Sequence, residues 1–175
     1  MILDAAKAAV VVTVAALLQV VLVNAFELLE GRADVLLLVL VSIALLRGPI
    51  YGAACGFWAG LLVDVSTLGT LGLTSLLLTG AGYLAGRVGD ATSNHEHQKT
   101  RILITVVLVT VAVQLASAVV HLLLGESVSV GTVLGRVLVP TLILNAALAI
   151  PAYVAARKLL PPPPRRERIK EVAVV

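Results

Sequence analysis

Residues 47–64 read Arg-Gly-Pro-Ile-Tyr-Gly-Ala-Ala-Cys-Gly-Phe-Trp-Ala-Gly-Leu-Leu-Val-Asp, an apolar stretch between an arginine and an aspartate. Glycine recurs at every fourth position, which is just over one helical turn, so the glycines fall on one side of a helix. In water each interior glycine costs about 1 kcal/mol relative to alanine. In a bilayer the backbone must hydrogen-bond to itself, and a glycine stripe lets another helix approach closely. The stretch therefore predicts a membrane helix built for tight packing.

Composition supports a membrane protein. Of the 175 residues, 59% are hydrophobic and only 13% are charged, against about a quarter charged in soluble domains. The mean hydropathy is +1.06. The single cysteine, Cys55, excludes a disulfide within the chain. The net charge of +3 comes from basic residues in loops and tails. It indicates membrane topology, and we expect no nucleic-acid partner.

The apolar segments predict an all-α integral membrane protein, a compact bundle of six transmembrane helices. We place the membrane domain at residues 1–160 and a cytoplasmic, proline-rich and basic tail at 161–175. Spans 2, 3 and 4 are shorter than the ~20 residues that a helix needs to cross the hydrocarbon core. The six spans run over residues 5–26, 33–46, 49–63, 71–85, 102–124 and 133–160.

Charge placement favours six full crossings. If the N-terminus is cytoplasmic, 11 of the 13 Lys and Arg residues lie inside, and only Arg32 and Arg136 lie outside. This distribution is the positive-inside pattern, and it predicts both termini in the cytoplasm. A re-entrant hairpin over residues 33–63 would keep the same termini. It would also place Arg47 near the middle of the bilayer, at a cost of at least ~2.5 kcal/mol unless the charge is paired.

The glycine stripe has two interpretations. Gly52, Gly56 and Gly60 either pack against another span of this chain, with span 4 the natural partner, or form a groove for the transmembrane helix of a partner protein. Asp64, at the end of the stretch, either caps an ordered turn or is a contact point for that partner. We expect no catalytic role for Asp64, because its loop holds no second carboxylate or histidine.

Two loop motifs frame this span. Arg47, Gly48 and Pro49 predict a hairpin in which arginine anchors the inner side, glycine permits the turn and proline begins the next helix. On the outer side we predict a turn that includes four small or hydroxyl residues able to cap helices or adopt positive φ: Ser66, Thr67, Gly69 and Gly72.

Other polar residues carry no recognisable chemistry. Five lie within apolar spans, where we expect them to hydrogen-bond across helices: Gln19, Asn24, Gln114, His121 and Asn145. The His95-Glu96-His97 run lies in a polar loop, where a solvated role is favoured over metal binding. We predict no catalytic residue, no metal site and no cofactor. The clustered basic residues of the tail predict attraction to anionic lipids: Arg165, Arg166, Arg168 and Lys170.

Residues 34–76 resemble the central region of the rod shape-determining protein MreD family. The shared features are an acidic residue opening span 2, the Arg-Gly-Pro hairpin, the glycine-rich span ending in Asp64, and a following glycine turn. The Gly-Tyr-Leu-Ala-Gly-Arg run at residues 82–87 also fits. One departure is Leu68, where the family often has glycine in the turn after Asp64.

The resemblance implies a non-enzymatic component of the bacterial elongation machinery (the rod complex), multi-pass in the inner membrane, that supports lateral peptidoglycan synthesis and cell shape. Its implied partners are MreC, bound through its transmembrane helix, RodA with its transpeptidase, and the MreB filament. The expected fold is also similar to the substrate-binding components of energy-coupling-factor vitamin transporters. A small-molecule binding component of a transporter is therefore the alternative, although the sparse aromatic and polar residues disfavour a ligand pocket.

Overall fold

The computed structural model describes residues 2–25, 34–67, 71–91, 98–123 and 139–160. This part of the chain consists of helices and short connections. In chain order the six helices are α1 (Ile2–Ala25), α2 (Val35–Arg47), α3 (Pro49–Thr67), α4 (Leu73–Ala91), α5 (Gln98–Leu123) and α6 (Val139–Leu159).

The centre of the bundle is α2, which packs against each of the other five described helices. Nine of its thirteen residues are buried, on every side of the helix. A helix that is apolar all round belongs in the interior of a bundle. At about 1.5 Å per residue α2 is about 20 Å long, shorter than the ~30 Å hydrocarbon core. Its first turn therefore needs partners within the protein.

The most extensive contact between two helices joins α3 to α4. The two helices run antiparallel, and their buried faces carry mostly small residues such as glycine, alanine and serine, together with the larger Leu78. Around this pair, α1 packs on α2 and α3, while α5 packs on α2, α4 and α6. The hydrophobic core includes Val12 of α1, Leu40 of α2 and Val106 of α5.

The all-helical prediction is confirmed, and the six helices follow the order of the six predicted spans. Three helical segments are long and apolar enough to cross a membrane, within the part of the chain described: Pro49–Thr67, Lys99–Val120 and Val139–Leu159. The stretches Ala6–Gln19 and Val35–Arg47 are shorter apolar helices. Six full crossings and the transporter-like fold thus remain predictions. The tail at residues 161–175 lies outside the described residues.

Candidate functional site

The glycine stripe of α3 lies against the backbone of α4. A Cβ atom built on Gly52 would overlap the carbonyl oxygen of Gly82, and one built on Gly56 would overlap the carbonyl oxygen of Leu78. A Cβ atom on Gly60 would overlap the backbone of Ser75. All three glycines are buried. They allow the two backbones to approach more closely than any side chain permits.

This packing corrects the groove interpretation. The side of α3 that would form a groove for a partner's helix is covered by α4 of the same chain, so Gly52, Gly56 and Gly60 are internal packing residues. Gly82 and Gly86 of α4 complete the contact, since a Cβ atom on Gly86 would overlap the backbone of Pro49. The alternative, that spans 3 and 4 use these glycines themselves, describes the observed structure.

The Arg47-Gly48-Pro49 hairpin forms as the sequence indicates. Gly48 has a φ of 94°, and its N–H closes α2 on the carbonyl of Ala44 at 2.8 Å. Such positive φ values favour glycine. Gly48 therefore lies before α3 and not in its glycine stripe. Pro49 begins α3, and the guanidinium carbon of Arg47 lies 5.8 Å from the centre of the Tyr51 ring, within cation–π range.

Asp64 caps a helix that it does not belong to. Its Oδ2 accepts hydrogen bonds from the N–H groups of Gly72 at 2.8 Å and Ser75 at 3.3 Å, and its Oδ1 accepts one from Thr74 at 3.2 Å. The residue is 2% exposed. A helix leaves its first N–H groups without partners, and here the preceding helix satisfies those of α4. Asp64 is thus a buried cap, and its position does not offer the exposed partner contact that we considered.

The remaining residues of the predicted outer turn separate into two groups. Ser66 and Thr67 lie in the last turn of α3, where their hydroxyls donate to the carbonyls of Leu62 and Val63. Gly72 has a φ of 93° and forms the turn before α4. Ser66 and Thr67 are therefore helical and not turn residues. Gly69 and the basic tail residues lie outside the described residues: Arg165, Arg166, Arg168 and Lys170.

The α3–α4 pair also has an exposed apolar face, which we call the pair face. It includes Ile50 and Phe57 of α3, and Leu76, Gly80 and Tyr83 of α4. Leu76, Gly80 and Tyr83 follow helical spacing, so they share one side of α4. A Cβ atom on Gly80 would meet no atom within 4 Å. Gly80 therefore lies at an open position between larger apolar side chains.

A second functional feature, a network of hydrogen bonds at the start of α2, is not apparent from the sequence. The N–H of Asp34 donates to Oδ1 of Asn145 at 2.9 Å, and the N–H of Val35 donates to Oε1 of Gln19 at 2.9 Å. Asp34 also caps its own helix, accepting from Leu37 at 3.0 Å. Nδ2 of Asn145 donates to Thr110 at 3.3 Å. This α2 clamp joins four helices through their polar side chains.

The sequence contained part of the signal for the clamp. Gln19 and Asn145 were expected to hydrogen-bond across helices, and the structure confirms this for both. Their shared target could not be read from the sequence, because Asp34 and Asn145 are 111 residues apart. Within the described ranges, no group of three or more His, Cys, Asp or Glu side chains lies close enough together to hold a metal ion.

These features define an all-helical protein of the membrane-embedded class, organised by backbone contact between two helices and by buried polar caps. A family model for the rod shape-determining protein MreD matches residues 2–161, nearly the whole chain. The chain therefore belongs to the MreD family, and its role lies in rod shape determination. The comparison with curated proteins gave no match. Neither did the comparison with solved structures.

Proposed function

We propose that this protein is a non-enzymatic scaffold of the bacterial rod complex that binds the transmembrane helix of MreC and supports lateral peptidoglycan synthesis. In this proposal it crosses the inner membrane six times with both termini in the cytoplasm. RodA, its transpeptidase and MreB are further partners of the assembly. Family membership and the apolar helices support this assignment.

The structural feature that best supports this proposal is the exposed pair face of α3 and α4. The glycines let α3 and α4 pack backbone against backbone. The exposed sides of the two helices therefore form one rigid surface. Phe57 is 54% exposed and Tyr83 is 45% exposed, so both offer large side chains to a neighbouring helix. Gly80 is a small residue between Leu76 and Tyr83 on the same side of α4. Small residues flanked by large ones are typical of interfaces between transmembrane helices.

The proposal is tested by filling the open position. Gly80→Leu adds a side chain where the folded chain has space, so the protein should insert and fold normally while MreC is displaced. The measurement is recovery of MreC on affinity purification of the variant from membranes. We expect a loss of at least about tenfold, equivalent to ~1.4 kcal/mol of binding free energy.

The matched control is Ala147→Leu, which enlarges an exposed residue on α6, away from the pair face. It should leave MreC recovery at the wild-type level. Equal MreC recovery with Gly80→Leu and with wild type would exclude the pair face as the docking site. Loss with both variants would show that the effect is unrelated to this face.

Anionic lipids are the remaining proposed partners. The basic tail carries four Arg and Lys residues within six positions, 165–170, and each contributes about 1 kcal/mol near an anionic surface. Replacing all four with glutamine should weaken co-sedimentation of a tail peptide with vesicles containing phosphatidylglycerol. Binding to phosphatidylcholine vesicles should be weak for both peptides.

A further inference from the structure

The α3–α4 pair has a defined length, because contacts at both ends fix how the two helices are aligned. At one end a Cβ atom on Gly86 would overlap the backbone of Pro49. At the other end Asp64 accepts a hydrogen bond from the N–H of Gly72, so the chain has already turned back at this level. At 1.5 Å per residue, the part of α3 between Pro49 and Asp64 is about 22 Å long.

The exposed large apolar side chains of the pair stay within this length. On α3 they extend from Ile50 to Val65, and the last two residues of the helix are polar and exposed. On α4 the last of them is Leu84, and the next exposed residue is Arg87. The outward surface of the pair therefore offers lipid chains an apolar belt of about 22 Å. The hydrocarbon core of a typical bilayer is ~30 Å thick.

Helix α5 of the same protein is not short in this way. It packs on α2, α4 and α6, whereas α3 packs on α1, α2 and α4. The exposed large apolar side chains of α5 extend from Ile104 to Leu123. The distance between these two positions along the helix is about 29 Å, close to the thickness of the hydrocarbon core. The outward surfaces of α3 and α5 therefore match bilayers of different thickness.

A short helix has three responses to a thicker bilayer: the bilayer thins, charged side chains extend from the helix ends to the headgroups, or helices associate. Tilting does not help, because it shortens the span further. Arg87 is poorly placed for the second response. Side chains lean toward the N-terminus of their helix, and Arg87 lies near the C-terminal end of α4, so its side chain leans toward the middle of the bilayer. Thinning of the surrounding bilayer is therefore favoured over extension of Arg87.

We propose that the outward surface of the α3–α4 pair binds lipids with short acyl chains selectively and thins the bilayer around it, while α5 accepts chains of ordinary length. The binding partner is the lipid surface itself, recognised by the length of its hydrocarbon region. The proposal rests on the proposed crossing of the bilayer by α3 and α4. It describes the protein without MreC and does not depend on the docking of MreC.

Trp58 is a natural reporter for the test, since it is the only tryptophan of the chain and is exposed on α3. The purified full chain is reconstituted, without MreC, in mixtures of a brominated phosphatidylcholine with phosphatidylcholines of different monounsaturated chain length. Bromine quenches the fluorescence of Trp58, and a lipid that binds beside it restores the signal. We expect chains of fourteen carbons to bind at least about twofold more strongly than chains of eighteen, because each ångström of mismatch carries a modest cost.

The matched control moves the reporter to α5. In the double variant Trp58→Phe/Leu108→Trp the tryptophan replaces an exposed leucine, and its quenching should show no preference for the shorter chains. A further pair of variants tests the length of the apolar belt. Arg87→Leu extends the belt on α4 and should shift the preference at Trp58 toward longer chains. Arg157→Leu makes the same change on α6, which packs on α2 and α5, and should leave that preference unchanged.

The possible results separate this proposal from the bilayer crossing on which it rests. Equal binding of all chain lengths at Trp58, the same preference at both reporters, or an unchanged preference in Arg87→Leu would overturn the short-chain selectivity and leave the crossing intact. Weak quenching at Trp58 alone would show that a second copy of the chain covers the pair, which also overturns the proposal. Absence of quenching at both reporters would contradict the crossing itself.

Discussion

Gly52 and Gly82 lie so close that neither could carry a side chain. A Cβ atom built on either residue overlaps the carbonyl oxygen of the other. Two helices can meet in this way only when neither has a side chain at the contact. At two further points only one helix contributes a glycine: Gly56 lies against the backbone of Leu78, and Gly86 lies against the backbone of Pro49. The α3–α4 pair is therefore held by backbone proximity, which small residues permit in a bilayer.

Adding a methyl group at this contact should destabilise the protein. Gly56→Ala places a Cβ atom against the backbone of Leu78, which cannot move as a side chain would. We expect a loss of about 1–3 kcal/mol of unfolding free energy, the usual cost of overpacking. The measurement is thermal unfolding in detergent, followed by the fluorescence of Trp58. Gly80→Ala is the control, and it should be neutral or stabilising by up to about 1 kcal/mol.

Removing the Asp64 cap should loosen the start of α4. Asp64→Ala leaves the N–H groups of Gly72, Thr74 and Ser75 without their acceptor. We expect a loss of at least about 1–3 kcal/mol. Faster amide hydrogen exchange at residues 72–75 should accompany it. Ser66→Ala removes only a hydroxyl that bonds within its own helix turn, so it should change stability by less than about 0.5 kcal/mol. Equal losses of unfolding free energy in Asp64→Ala and Ser66→Ala would contradict the role of Asp64 as a helix cap.

The α2 clamp should show coupling between helices α5 and α6. Asn145→Leu removes the acceptor for Asp34 and the donor to Thr110, and Thr110→Val removes the hydroxyl alone. The double variant should lose less stability than the sum of the single variants, by about 0.6 kcal/mol. Unfolding of the four proteins in a double-mutant cycle measures this difference. Additive losses would show that the hydrogen bond contributes nothing to stability.

Six crossings predict opposite accessibility of two loops. In a Cys55→Ala background, Ser127→Cys should react with a membrane-impermeant maleimide added to intact spheroplasts. Ser93→Cys should react only after the membrane is opened, because the charge distribution places residues 86–101 in the cytoplasm. Labelling of both cysteines in intact cells would contradict this topology. The buried position of Cys55 predicts slow labelling in the unmodified protein.

Local chemistry explains which features the sequence could predict. Gly48 and Pro49 determine a hairpin because positive φ and a missing N–H are properties of those two residues. The six helices follow from apolar runs long enough to require internal hydrogen bonds. Asp64 was recognisable as a helix-capping residue, but its acceptors face Gly72, eight residues later. The choice between cap and partner contact needed the position of α4.

That this chain is helical and apolar, that it turns at Gly48, and that one side of α3 carries glycines all follow from the amino-acid sequence. Which helix packs on that side of α3 is known only from the folded structure. A glycine stripe specifies that a helix can approach closely, but it holds no side chain that distinguishes one helix from another. Only the folded backbone shows that Gly82 of α4 meets Gly52. For the same reason, the hydrogen bond between Asp34 and Asn145 could not be predicted. The two residues are 111 positions apart, and one amide side chain does not specify which distant group it will bond.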